Sequence, residues 1–163
     1  ASWLTGFLGT PLRLVRFHPD HRRLSDRGWT DGVEAENGFS DGFPVLVLSE
    51  ESVADLNRRL GGTPLPMDRF RPNVVVAGGG PYVEDEVKSL AGDGVELRLV
   101  KPCARCPITT TDQRTAEVGR EPLATLSTYR RDPRLGGVVF GQNAIVASGT
   151  GRRLRVGMRL EAR

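Results

Sequence analysis

Pro44-Val-Leu-Val-Leu48, followed without a break by Ser49-Glu-Glu-Ser-Val-Ala-Asp-Leu-Asn-Arg-Arg-Leu-Gly61, reads as a buried strand running straight into a helix. The first five residues are continuously apolar and too few for a helix, which suits a strand covered on both faces. Ser49 stands where a side-chain cap is needed, and Glu50 and Glu51 favour the positive end of the helix. Val53, Leu56 and Leu60 recur at helical spacing. Arg58 and Arg59 suit the last turn, and Gly61 the position just beyond it.

Outward from this unit the chain is mostly short strands. Upstream, Leu12-Arg-Leu-Val-Arg-Phe17 alternates and predicts a strand. Residues 18–41 are rich in Asp, Arg, Gly and Pro without a period, and read as a long loop. Downstream, Pro64 to Pro66 is a break, and Asn73 to Ala77 reads as a second buried strand ended by Gly78-Gly-Gly-Pro81. That glycine run reads as a tight turn, because it lacks the Lys-Ser/Thr of a phosphate-binding loop. Val95 to Val100 alternates as a strand and delivers the chain to Pro102 and two cysteines. Arg105 to Thr111 is expected to continue as strand. Glu121-Pro122 opens a second helix through Tyr129, with the proline in the first turn. Gly137 to Phe140 and Asn143 to Ala147 form one strand bent at Gly141. Gly149 to Gly151 turns the chain into a last alternating strand, Leu154 to Leu160. Many short strands with two helices place the chain in the β-rich α+β class, as a barrel or strongly curled sheet.

The bulk numbers narrow the function classes. At 163 residues, 38 % apolar and 26 % charged, the chain fits one soluble domain. Its net charge of +3 is spread along the sequence. No concentrated basic face with stacking aromatics is visible, which argues against nucleic acid. No apolar run approaches the roughly 20 residues of a membrane span. Ala1 to Leu8 is too short and uncharged for a signal peptide, and the chain lacks an initiator Met. Two cysteines do not make a disulfide scaffold, so a reducing compartment, the cytoplasm, is expected.

Both cysteines lie in Cys103-Ala-Arg-Cys106-Pro-Ile-Thr-Thr-Thr-Asp112. Zinc would need two more ligands, and the only histidines, His18 and His21, are remote in sequence. A redox dithiol would need a helix starting at the first cysteine. Two buried, inert thiols are the plainest reading of the pair alone. Arg105, however, places a cation beside the thiols, and Arg69-Phe-Arg-Pro-Asn73 sits at a strand entrance. Thiolates select soft metals, and guanidinium forks match phosphate oxygens. The combination suits a bound group that is both metal and phosphate.

Four stretches resemble the MOSC domain, the C-terminal domain of molybdenum cofactor sulfurases. They are Phe43 to Leu56, Arg69-Phe-Arg-Pro-Asn-Val-Val-Val76, Pro81-Tyr-Val-Glu-Asp85 and Cys103 to Asp112, so the resemblance covers nearly the whole chain. Glu121-Pro-Leu-x-Thr-Leu-x-x-Tyr-Arg130 and Phe140-Gly-Gln-Asn143 are similar to the amidoxime-reducing components and bacterial reductases of N-hydroxylated compounds. The resemblance implies a MOSC-type β-barrel with a few flanking helices, holding a molybdenum cofactor of molybdopterin type. It makes Cys106 the metal ligand and catalytic residue. It assigns cofactor contacts to Arg71, Asn73, Ala104, Arg105 and the Asp41-Gly42-Phe43 loop. Ala104 departs from the serine of some relatives, Thr115-Ala116 from Thr-Gly, and Val87 from a common Trp. The family's N-terminal β-rich domain and C-terminal iron–sulfur domain are expected to be absent, leaving residues 1–163 as a single MOSC domain.

The activity so implied converts N–OH to N–H in a small N-hydroxylated substrate, with molybdenum taking the oxygen. Electrons would come from a separate donor protein, since no flavin or haem motif is present. The alternative is a non-catalytic module that holds the cofactor, as in the sulfurases, where pyridoxal phosphate belongs to a separate domain. A third reading has the chain bind nothing, its cysteines being relics.

Overall fold

Ser49, between the apolar run and the acidic turn, is where strand becomes helix. A computed structural model describes residues 1–163. In it β1 spans Val45–Ser49 and α2 spans Glu50–Leu60, preceded by a short α1 over Ser2–Leu8. The Ser49 hydroxyl accepts from the Ser52 amide at 3.0 Å, and Gly61 closes the helix in the left-handed conformation. The expected strand–helix unit is therefore present, with its capping chemistry.

The remaining elements are β2 (Val74–Val76), α3 (Val83–Glu86), β3 (Ser89–Gly92), β4 (Val95–Ala104), α4 (Leu123–Leu126), β5 (Arg131–Asp132), β6 (Gly137–Ser148) and β7 (Glu161–Ala162). Single 3-10 turns lie at Met67–Phe70 and Pro107–Thr110. One seven-stranded sheet runs in the order β2-β1-β6-β4-β3-β7, with β5 also on β6. Only β1 and β2 pair in parallel. The long β4–β6 ladder carries three register shifts, each a local kink that raises the twist. The result is a β-rich α+β fold with a curled mixed sheet.

Three apolar clusters hold it, the smallest made by Ala35, Phe43 and Ile145. Leu48, Val53, Leu56, Phe70, Leu126 and Phe140 join α2, the first 3-10 turn and α4 to the sheet. Val47, Leu90, Val95, Leu97 and Ala144 fill the sheet's other face. Phe70 meets Phe140 at 4.7 Å between ring centroids, which ties the 3-10 turn to β6.

Several expectations are corrected. Leu12 to Phe17 forms no strand; Leu14 is 85 % exposed, and alternation without a partner edge buries nothing. Arg105 to Thr111 does not continue β4, because Pro107 has no N–H for the ladder and opens a 3-10 turn. Leu154 to Leu160 is irregular, with Gly157 at φ 80° and Val156 fully exposed; only Glu161–Ala162 pair, with β3. The second helix is confined to Leu123–Leu126, with Pro122 before it rather than inside it, and turns carry on to Tyr129. β2 is a half-exposed edge strand rather than a buried one. The bend at Gly141 and the turn at Gly78 to Gly80 are as read. No helix is long and apolar enough to cross a membrane.

Candidate functional site

β4 carries Cys103 and Ala104 to the end of the sheet, and the Arg105 amide donates to the Val138 carbonyl at 2.8 Å. Cys106 then begins the second 3-10 turn. Thr109 Oγ1 donates to the Cys106 carbonyl at 3.0 Å and Thr110 Oγ1 to the Pro107 carbonyl at 2.8 Å. These two buried hydroxyls close the turn from inside. Both thiols are free; Cys103 is half-buried and Cys106 exposed. The reading of two buried, inert cysteines therefore fails for Cys106.

The Met67–Phe70 turn is clipped against this loop at three points. Arg69, 6 % exposed, donates through Nη2 to Asp112 Oδ2 at 2.7 Å. Arg105 Nη2 donates to the Phe70 carbonyl at 2.8 Å, and Gln113 Nε2 to the Asp68 carbonyl at 3.0 Å. The Arg114 and Thr115 amides donate to Asp112 Oδ1. Those amides, and the Arg69 charge after them, hold the Asp112 carboxyl below the usual carboxylate range. The clip holds the Phe70 carbonyl, one residue before Arg71, against the Arg105 guanidinium. Arg71 is exposed, takes the left-handed conformation at φ 55°, and makes no side-chain hydrogen bond within the protein.

The other expected residues are placed less uniformly. Asn73 Oδ1 accepts from the Leu46 amide at 2.8 Å, and the Asn73 amide donates to the Leu46 carbonyl at 2.9 Å. Half of its side-chain capacity thus fastens β2 to β1, and its exposed amide NH2 remains. Asp41 and Gly42 use their carbonyls on Arg23 Nη2 and Asn37 Nδ2. The Phe43 ring is buried with Ala35 and Ile145 and belongs to the core. Ala104 is exposed and offers only a methyl. The register Leu46 to Asn143 to Lys101 puts Asp41–Phe43 level with β4 positions before Lys101, on the side away from Cys103, with β6 between the two strands.

Lys101 is not singled out by the sequence, and Arg69, Asp112 and Gln113 stand in or beside the motifs above without the contacts that join them. Lys101 Nζ lies 4.8 Å from the Trp29 ring centroid and 5.8 Å from that of Phe43. Arg69, Asp112 and Gln113 form the clip. Their partners lie about forty residues away in sequence. No local pattern marks such a pair; the one available signal was two arginines in Arg69-Phe-Arg71 facing a lone Asp112 beyond the threonines.

The donor set suits a soft metal carried by an anion. Cys106 presents a free sulfur. Arg105 Nε and Arg69 Nε are buried donors with no partner. Buried N–H groups are rarely left unpaired; here one belongs to Arg105, the residue before Cys106, and the other to Arg69 of the clip. No group of three His, Cys, Asp or Glu side chains converges anywhere in the fold. The larger grooves lie elsewhere, over Val45, Val74 and Val146, and between Val75 and Leu160.

The family model described as the MOSC domain matches residues 34–161. Mitochondrial amidoxime-reducing component 1 of Homo sapiens is 42 % identical over 138 residues, covering 82 % of this chain and 41 % of its own length. Its counterpart in Danio rerio is 39 % identical over 140 residues, 82 % of this chain and 43 % of its own. A molybdenum cofactor sulfurase of Oryza sativa subsp. japonica is 36 % identical over 156 residues, 86 % of this chain but 19 % of its own. The chain thus spans about two fifths of the amidoxime-reducing relatives.

Proposed function

The chain belongs to the MOSC domain family, and from that premise we propose that it is the molybdenum-cofactor-binding domain of a reductase of N-hydroxylated compounds. The observation that carries this reading is the exposed, uncommitted Cys106 thiol on a loop that Arg69, Arg105 and Gln113 fasten to the turn capped by Arg71. Cys106 would hold the metal through sulfur. Arg71, Arg105 and the free amide of Asn73 would take the anionic and polar parts of the cofactor. Asp41 and Gly42 would line its rim, with Phe43 supporting them from the core. The cofactor, when bound, supplies the two-electron chemistry that removes the hydroxyl oxygen from nitrogen.

What the chain contributes is binding and orientation. The guanidinium groups supply fixed positive charge where the cofactor is anionic, and the clip fixes that charge before the cofactor arrives. A separate protein supplies electrons in this reading, and a β-rich domain closes over the exposed rim. A reducing compartment, the cytoplasm, keeps Cys106 available. The molybdenum cofactor sulfurase match supports a second reading, in which the same site only holds cofactor and does no redox chemistry.

One preparation separates these. The chain is produced in a host that makes the cofactor, its molybdenum measured, and benzamidoxime reduction assayed with a chemical electron donor. Molybdenum with amidine formation is the expected result. Molybdenum without turnover favours the holding module, and no molybdenum above background contradicts both.

A further inference from the structure

The geometry points to Cys103 as the positioning residue for Arg105, an inference that rests on the reading of Arg105 as a cofactor contact. Cys103 is the last half-buried side chain of β4. Its sulfur accepts from Arg105 Nη1 at 3.1 Å, while Nη2 of the same guanidinium donates to the Phe70 carbonyl at 2.8 Å. The guanidinium carbon lies 5.8 Å from the Phe70 ring centroid. Two bonds from two different nitrogens fix the orientation of a planar fork. A guanidinium has five N–H groups, so three are left, the buried and unpartnered Nε–H among them.

The choice of acceptor matters. A carboxylate in place of Cys103 would hold the same arginine and cancel its charge. A sulfur acceptor and a carbonyl hold it and leave its charge for an anion. The cost of ordering a long side chain is met in folding, not when a ligand binds, and preorganisation of this kind strengthens binding. It also separates the two cysteines by function. Cys106 Sγ has no partner in the protein, whereas Cys103 Sγ is engaged by the arginine between them.

The test follows Arg105 itself. In the cofactor-free 163-residue chain, the arginine Nε–H signal that disappears in Arg105→Lys is assigned by nuclear magnetic resonance, and its exchange with water is timed. Cys103→Ala should speed that exchange about tenfold, the factor that about 1.4 kcal/mol of lost hydrogen bonding represents. Cys103→Ser, which keeps an acceptor, should restore most of the protection. An unchanged exchange rate in Cys103→Ala overturns the inference. The same variants in cofactor-loaded chain give a second readout. Cys103→Ala should release molybdenum severalfold faster in the wild-type background and no faster in an Arg105→Ala background; additive effects would show that Cys103 acts by another route. A chain that carries no molybdenum would sink the functional reading, and the exchange measurement would still decide the positioning role.

Discussion

Cys103 and Cys106 lie on either side of Ala104 and Arg105 but meet different surroundings. One sulfur is half-buried and hydrogen-bonded; the other is exposed and free. Cys106→Ala should therefore reduce retained molybdenum to background, while Cys103→Ala keeps part of it. Metal analysis of the two variants checks this, and the reverse order would move the ligand to Cys103. Arg71 and Asn73 divide differently. Arg71 makes no side-chain hydrogen bond, so Arg71→Ala should lower molybdenum retention with little change in the melting temperature of the cofactor-free chain. Asn73→Ala frees the Leu46 amide and should also cost stability, about 0.5–1.5 kcal/mol for one hydrogen bond. A denaturation curve for Asn73→Ala that overlays the wild type would show that this bond carries nothing. Arg71, Arg105 and Cys106 stand as site candidates through the thiol–guanidinium pairing and the family resemblance, whereas the sequence reads the loop and turn that hold Arg105 and Cys106 as strand. The second role of Asn73 was not legible, because its partner Leu46 sits on another strand and no local pattern links them.

The clip between the two 3-10 turns sets the site at the level of elements. Because Asp112 is held below the usual carboxylate range, its contribution is fully present above the unfolded value and is lost as pH falls through the lowered folded one. Wild type should melt above Asp112→Asn at neutral pH, and the gap should close as the pH falls below about 4, the ordinary Asp range. A gap that does not change with pH would mean that Asp112 acts through shape rather than charge. At the β6 bend, Gly141 has φ 79°, and an added Cβ would sit 2.9 Å from the Val47 carbonyl. Gly141→Ala should destabilise by about 1–2 kcal/mol from the left-handed conformation alone, and the urea midpoint reads it directly. The β1–α2 unit and the Gly141 bend were legible because cap, period and glycine all act within a few residues. Leu154 to Leu160 misled for the opposite reason. Alternation records that a segment could pair, while pairing needs a free edge in register. Pro107 was the available sign that β4 ends at the cysteines, and its missing N–H outweighed the β-branched threonines after it.

Across the whole molecule, the β-rich class followed from many short apolar runs, but the pairings of β6 with β1 and β4 and of β7 with β3 join elements far apart in sequence and left no local mark. The candidate site is likewise assembled across long range, the clip bringing the turn ahead of β2 to the β4 exit. Its rim stands open, with Arg71, Asn73 and Cys106 all exposed. Cofactor should accordingly be held loosely, each charge-assisted hydrogen bond not made forfeiting about 1.5–3 kcal/mol. Dialysis of the loaded chain with molybdenum followed over time measures this, and retention undiminished through the dialysis would contradict it. The central claim, that Cys106 and its arginine neighbours hold a molybdenum cofactor, is tested most directly by metal content. Wild type and Cys106→Ser are purified side by side from a host that makes the cofactor, and molybdenum per chain is measured. Molybdenum well above background in wild type and at background in Cys106→Ser is the predicted result; equal content in the two would contradict it.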